Sequence, residues 1–227
     1  MFFPLHDQNP IRHIGRPYVT WGLIGLNVAL FALQSLAPGN VVAALYGSFG
    51  MIPAVVGNSV ADLYPVVPVW TTFITYAFLH GDAFHLVANM LFLFVFGDNI
   101  EDAMGHVRFL IFYLVCAAAA GLVHFGIDPS SMYPLIGASG AISGIIGAYL
   151  VLYPQVRIYM LMKIVVPLPI PIPAIFAILA WIGIQIFYAF APAPEGVAWW
   201  AHVGGFAAGA ALVVLFKRRE IKLFGRA

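Results

Sequence analysis

Charge is what this sequence has least of. Only 8% of its 227 residues are Asp, Glu, Lys or Arg, against about 25% in ordinary soluble domains. So few charges cannot coat a water-soluble globule of this size when 63% of the residues are apolar. The net charge of +1 leaves no basic surface of the kind nucleic acid requires. A single cysteine, Cys116, excludes an intrachain disulfide and, inside an apolar run, reads as a packing residue. There is no fixed-period repeat and no low-complexity tract. The first eighteen residues carry Pro4, Pro10 and Pro17 among scattered polar groups, which is not the pattern of a cleavable signal peptide. What is present in quantity is apolar runs, several near the ~20 residues that cross a bilayer as helix.

Reading those runs against their breakers predicts an all-α integral membrane protein, a bundle of six transmembrane helices. The expected spans are Val19–Ala37, Phe84–Phe96, Arg108–Phe125, Ser139–Tyr153, Pro173–Phe190 and Trp199–Phe216. The second and fourth are short for a spanning helix and are expected to be surrounded by longer ones. The connection Pro38–Ala83 is rich in Gly, Pro and aromatics (Tyr64, Pro65, Pro68, Trp70), suiting a folded segment in the membrane interface. Between spans four and five, Pro167, Pro169, Pro171 and Pro173 occupy alternate positions, which forbids a regular helix there. The expected organisation is a cytoplasmic tail over 1–18, a six-span domain over 19–216 and a basic cytoplasmic tail over 217–227.

Orientation follows from the ten Lys and Arg residues. All fall in the N-terminal tail, the second and fourth connections and the C-terminal tail, Arg226 included; the first, third and fifth connections hold none. Basic residues stay on the cytoplasmic side, so both termini are expected there. A wrong span count would scatter the charges over both faces.

Polar groups inside spans are costly and therefore informative. Ser139, His202, His85 and Asn89 are such groups. Ser139 lies fifteen residues from Pro154, His202 fifteen from Lys217 and His85 thirteen from Asp98. At 1.5 Å per residue all three stand about 20–22 Å above the inner boundary. Three helices thus bring polar groups to one level. A fourth span that begins at Ser139 stops below the outer surface, and irregular backbone at that depth must line a cavity or be buried in protein. A water-filled recess above Ser139 is the expected result. The helix start supplies free N–H groups, and Gly137 and Gly140 let other backbone come close. A serine hydroxyl needs a base, and His202 is the candidate. His85 and Asn89, four residues apart, share a face of the second span and can donate hydrogen bonds. No acidic residue lies in the middle of a span: Asp62, Asp82, Asp128 and Glu195 are in outer connections, and Asp98, Glu101 and Asp102 are at the inner boundary. A dyad is therefore expected, not a triad.

Each of these residues also has a plainer use. Serine in a spanning helix often bonds its own i−4 carbonyl, the glycines of spans four and six form a packing face, and Asn89 can be interhelical glue. His202 alone could belong to a proton or ion path. The shared depth of Ser139, His202 and His85 favours a common site.

Together these residues resemble the rhomboid protease family. Gly137-Ala138-Ser139-Gly140 is similar to its Gly-x-Ser-Gly motif, and Ala201-His202 with Gly205 and Gly209 to its Ala-His-x-x-Gly-x-x-x-Gly motif. His85-Leu86-Val87-Ala88-Asn89 is similar to its His-x-x-x-Asn motif, and Glu101 ahead of Gly105 and Arg108 to its acidic residue and following glycine. The likeness covers about residues 65 to 210. It implies a six-span rhomboid-like bundle, a serine endopeptidase that cuts transmembrane segments of single-pass membrane proteins without metal or other cofactor, and a multi-pass protein of a prokaryotic plasma membrane. It implies Ser139 as nucleophile, His202 as general base, and His85 and Asn89 as oxyanion donors. It further implies an outer-leaflet first connection and a fifth span that gates substrate entry. Ser143 stands where some members carry an aromatic against the histidine ring, and a Trp-Arg pair of the first connection is missing. Three other readings compete: a zinc protease using His80, His85 and His202, which lacks a His-Glu-x-x-His run; a transporter or channel, for which the inner half offers few polar groups; and an inactive rhomboid-like binder of membrane proteins, against which both dyad residues stand.

Overall fold

The computed structural model describes residues 2–163, 167–191 and 196–225, so Glu195 and Arg226 lie outside the described residues. The chain is mostly helical. Helix α1 (Tyr18–Leu36) is followed by a connection holding α2 (Gly39–Phe49), α3 (Pro53–Val56) and α4 (Thr72–Thr75), the last between two 3-10 turns. Then come α5 (Ala83–Met104), α6 (His106–Ile127), α7 (Ser139–Leu152), α8 (Ala174–Phe190) and α9 (Trp199–Phe216). Among the described residues α1, α5, α6 and α9 are long and apolar enough to cross a membrane, and α7 and α8 are shorter apolar helices.

Helix α7 is the centre of the bundle. It packs on α5, α6, α8 and most extensively on α9, and eleven of its fourteen residues are buried. A helix this enclosed need not match the bilayer thickness, which is why fourteen residues suffice. Its contact with α9 is backbone on backbone. A Cβ on Gly205 would meet the Gly140 carbonyl, and one on Gly209 the Gly144 carbonyl, so side chains are excluded from both positions. Close approach of this kind gives apolar helices their van der Waals contact where no hydrophobic force drives them together.

The expected second span proves longer than its apolar run. Helix α5 does not stop at Phe96 but continues through Asp98, Glu101 and Asp102 to Met104. The hydropathy signal ends at those carboxylates but the helix does not: Glu101 and Asp102 are buried and paired, and the half-buried Asp98 accepts from the Asn99 side chain. Asp102 accepts from the backbone N–H groups of Arg12, His13 and Ile14 at 3.1, 2.6 and 2.8 Å. Glu101 accepts from the Val19 and Thr20 N–H groups and the Thr20 hydroxyl at 2.9, 2.7 and 2.7 Å, so it caps the start of α1, and it also pairs with His106 at 2.5 Å. Gly105, at φ +85°, then turns the chain into α6.

A three-stranded antiparallel sheet accompanies the helices, and the sequence reading did not include it. Strand β1 (Phe2–Asp7) pairs with β2 (Arg157–Lys163), which pairs with β3 (Pro167–Pro173). The alternating prolines that forbid helix are compatible with an edge strand. Having no N–H, they leave Leu168, Ile170 and Ile172 as the only β3 residues able to donate to β2. Alternate amides face opposite edges, so the proline nitrogens face away from the sheet. Strand β1 packs along α5. Its Asp7 is buried, takes an Asn99 Nδ2–H bond at 3.1 Å and bonds the Tyr149 hydroxyl of α7.

Candidate active site

Ser139 is the first residue of α7. The chain reaches it through Gly137, whose φ of +113° is a conformation that L side chains rarely adopt. The space also demands glycine: a Cβ there would lie 2.6–2.7 Å from the His85 ring and 3.6 Å from Asn89 Nδ2. The Gly137 N–H is held by the Tyr76 carbonyl at 3.0 Å, and the Tyr76 hydroxyl bonds the Ala117 carbonyl at 2.8 Å. This turn therefore sets Ser139 at the helix start, where the first N–H groups have no intrahelical acceptor.

His202, from the first turn of α9, meets Ser139 directly. Its Nε2 lies 2.8 Å from Ser139 Oγ. Its Nδ1 lies 2.8 Å from Gln185 Oε1 on α8. Two tryptophans lie near the imidazole, the Trp181 ring at 6.3 Å and the Trp199 ring edge to face at 6.1 Å. The Ser143 hydroxyl donates to the Ser139 carbonyl at 2.6 Å, one turn back in its own helix. Among the described residues no carboxylate is bonded to His202.

His85 and Asn89 come from the start of α5. The Asp82 side chain accepts from the His85 N–H at 2.8 Å and starts the helix. Asn89 is buried, and its Nδ2 has no hydrogen-bond partner among the described residues, so a donor is left free beside Gly137. The His85 ring lies 5.2 Å from that of His80, edge to face. The structure thus brings all four expected residues to one place: Ser139 bonded to His202, and His85 and Asn89 against the turn that precedes the serine. Ser139, His85 and His202 are half-buried, reachable from the surface and screened on their other sides.

Gln185 was not singled out in the sequence. The signal was there, since an uncharged polar residue inside the apolar run of α8 is of the same kind as Asn89. Nothing in the local sequence marks its partner, which lies seventeen residues on in another helix.

The rhomboid domain matches residues 68–219, well over half of the chain. The chain belongs to the rhomboid family. Its relatives include the Rhomboid protease GluP of Bacillus subtilis, 32% identical over 136 residues, or 60% of this chain and 25% of that protein. They also include the chloroplastic Rhomboid-like protein 11 of Arabidopsis thaliana, 35% identical over 83 residues, 37% of this chain and 29% of that protein. RHOMBOID-like protein 1 of the same plant is 30% identical over 162 residues, 60% of this chain and 41% of its own length. The matched segments therefore span about a quarter to two-fifths of these relatives. Ser139, His202, His85 and Asn89 all fall within the matched rhomboid domain.

Proposed function

We propose that this rhomboid is a serine endopeptidase that cuts transmembrane segments of single-pass membrane proteins within the bilayer. The observation that carries this reading is the 2.8 Å contact between Ser139 Oγ and His202 Nε2 at the start of a buried helix. In the reaction His202 takes the Ser139 proton as Oγ attacks the scissile carbonyl. The imidazolium then gives that proton to the leaving amine, and an acyl-enzyme remains. Water, deprotonated by the same imidazole, releases the acid.

The negative charge that forms on the carbonyl oxygen needs donors already in position. Three converge: the Ser139 N–H at the positive end of α7, the unpaired Asn89 Nδ2 and the His85 ring beside Gly137. Ser139 and His202 carry the bond chemistry, and His85 and Asn89 serve the oxyanion. In this reading no metal or other cofactor takes part. Substrate enters from the lipid as a helix that unwinds near the recess. Both termini lie on the cytoplasmic side of a cell membrane, a reading supported by the distribution of basic residues.

The test is cleavage of a model single-pass substrate in liposomes, with a fluorophosphonate probe to find the reactive group. Ser139→Ala and His202→Ala should each abolish cleavage, and the label should fall on Ser139 only when His202 is present. Undiminished cleavage by Ser139→Ala would end the serine reading. Asn89→Ala should retain labelling and slow cleavage by about 10²-fold, the usual cost of one oxyanion donor.

A further inference from the structure

An imidazole serves as a base only through the nitrogen that carries no proton. For His202 that nitrogen must be Nε2, and the proton must sit on Nδ1. The group facing Nδ1 decides which tautomer is held. That group is the side-chain amide of Gln185, 2.8 Å away and 6% exposed. A glutamine amide can face the ring with either its oxygen or its nitrogen. Here a second bond makes the choice: Gln185 Nε2 donates to the Trp181 carbonyl at 3.2 Å, one turn earlier in α8. Reversing the amide would set Oε1 against that carbonyl, acceptor against acceptor. It would also aim an N–H at Nδ1 and so put the imidazole proton on Nε2, facing Ser139. The observed orientation leaves Oε1 toward the ring as an acceptor for Nδ1–H.

We propose that Gln185 is a positioning residue that holds His202 in the Nδ1–H tautomer, leaving Nε2 free to take the Ser139 proton. The proposal rests on the serine-histidine reading above. When the proton transfers, Nε2 becomes N–H and the imidazolium keeps its Nδ1–H bond to Gln185 Oε1, so no other group has to move. The neutral amide does for the imidazole what a carboxylate does in a triad, without a buried charge that the apolar surroundings of α8 would penalise. The base and its orienting group come from different helices, so base competence depends on α8 being seated against α9.

The test uses the full chain in detergent and reads the rate of fluorophosphonate labelling of Ser139 from about pH 5 to about pH 9, the range in which histidine titrates. The probe reports nucleophile strength without substrate binding. Gln185→Leu, similar in size but unable to accept, should slow labelling at least about tenfold at every pH, as loss of an oriented base does. Gln185→Glu keeps an oxygen acceptor and adds a negative charge that favours the imidazolium. It should label well and move the acidic limb of the profile to higher pH, a shift that a merely structural role would not produce. In ¹⁵N-histidine-labelled native protein, with the signal assigned by His202→Ala, the proton should be found on Nδ1.

A folded Gln185→Leu protein that labels at the native rate with the native limb overturns the proposal. So does a native His202 that carries its proton on Nε2, a result that stands even if the leucine variant fails to fold. If native Ser139 takes no label, the serine reading itself falls and Gln185 with it. Native labelling that requires His202, together with unchanged Gln185 variants, sinks the Gln185 role alone.

Discussion

Ser139, His202 and Gln185 come from three helices, and two hydrogen bonds of 2.8 Å join them into one line. Each is a short polar interruption of an apolar run, the kind of residue that lipid makes costly unless it has a partner. Ser139 and His202 were legible because glycines flank the serine and because both lie at one depth. Gln185 was equally polar but had no such neighbours. Gly209 belongs to the same scale. A methyl group there would enter the space of the Gly144 carbonyl, so Gly209→Ala must push α9 from α7, in the opposite sense from a cavity. The expected cost is about 1–3 kcal/mol. Thermal unfolding in detergent checks it, with a larger loss expected for Gly209→Val. Because α9 carries His202, labelling of Ser139 should fall in step.

At the scale of elements, α5 teaches how hydropathy misplaces a helix end. Its last two turns hold Asp98, Glu101 and Asp102, charges that read as a boundary. They continue the helix because the chain before α1 and the first turn of α1 supply N–H donors to two of them. That donor set lies more than eighty residues away, out of reach of any window on the sequence. The consequence is testable at Asp102. Asp102→Ala leaves the Arg12, His13 and Ile14 amides without their acceptor, for about 1–3 kcal/mol if they stay buried. The segment should loosen before the bundle does, so trypsin is expected to cut after Arg12 well before global unfolding. Equal trypsin resistance in the variant and the native protein would show that the carboxylate does not anchor this segment.

For the molecule as a whole, the helices of the bundle were legible because lipid imposes a length and a composition on them, and apart from α5 the helix ends fall within two residues of the apolar runs. The sheet was not, since β1 and β2 are joined across some 150 residues. Its attachment to the bundle passes through Asp7, whose carboxyl is pushed above the usual carboxylate range by burial, against the opposing hydrogen bond from Tyr149 and the pull of His6; Asp98 stands nearby on α5. An acid with a raised folded-state value binds more protons folded than unfolded. Stability from this group is therefore present at low pH and lost as pH rises from its unfolded value, 3.8, through the raised one. Asp7→Asn keeps an oxygen for Tyr149 and removes the buried charge. It should raise the melting temperature more at neutral pH than near pH ~4; an equal gain at both would mean the charge is not the cause. At the far edge of this sheet the proline nitrogens of β3 offer an incoming strand nothing to accept. Open edges recruit further chains by completing a ladder of amides, and in a crowded bilayer a neighbouring copy is always close. A border that can only accept cannot complete such a ladder, so copies meeting along it have no template for growth into aggregates.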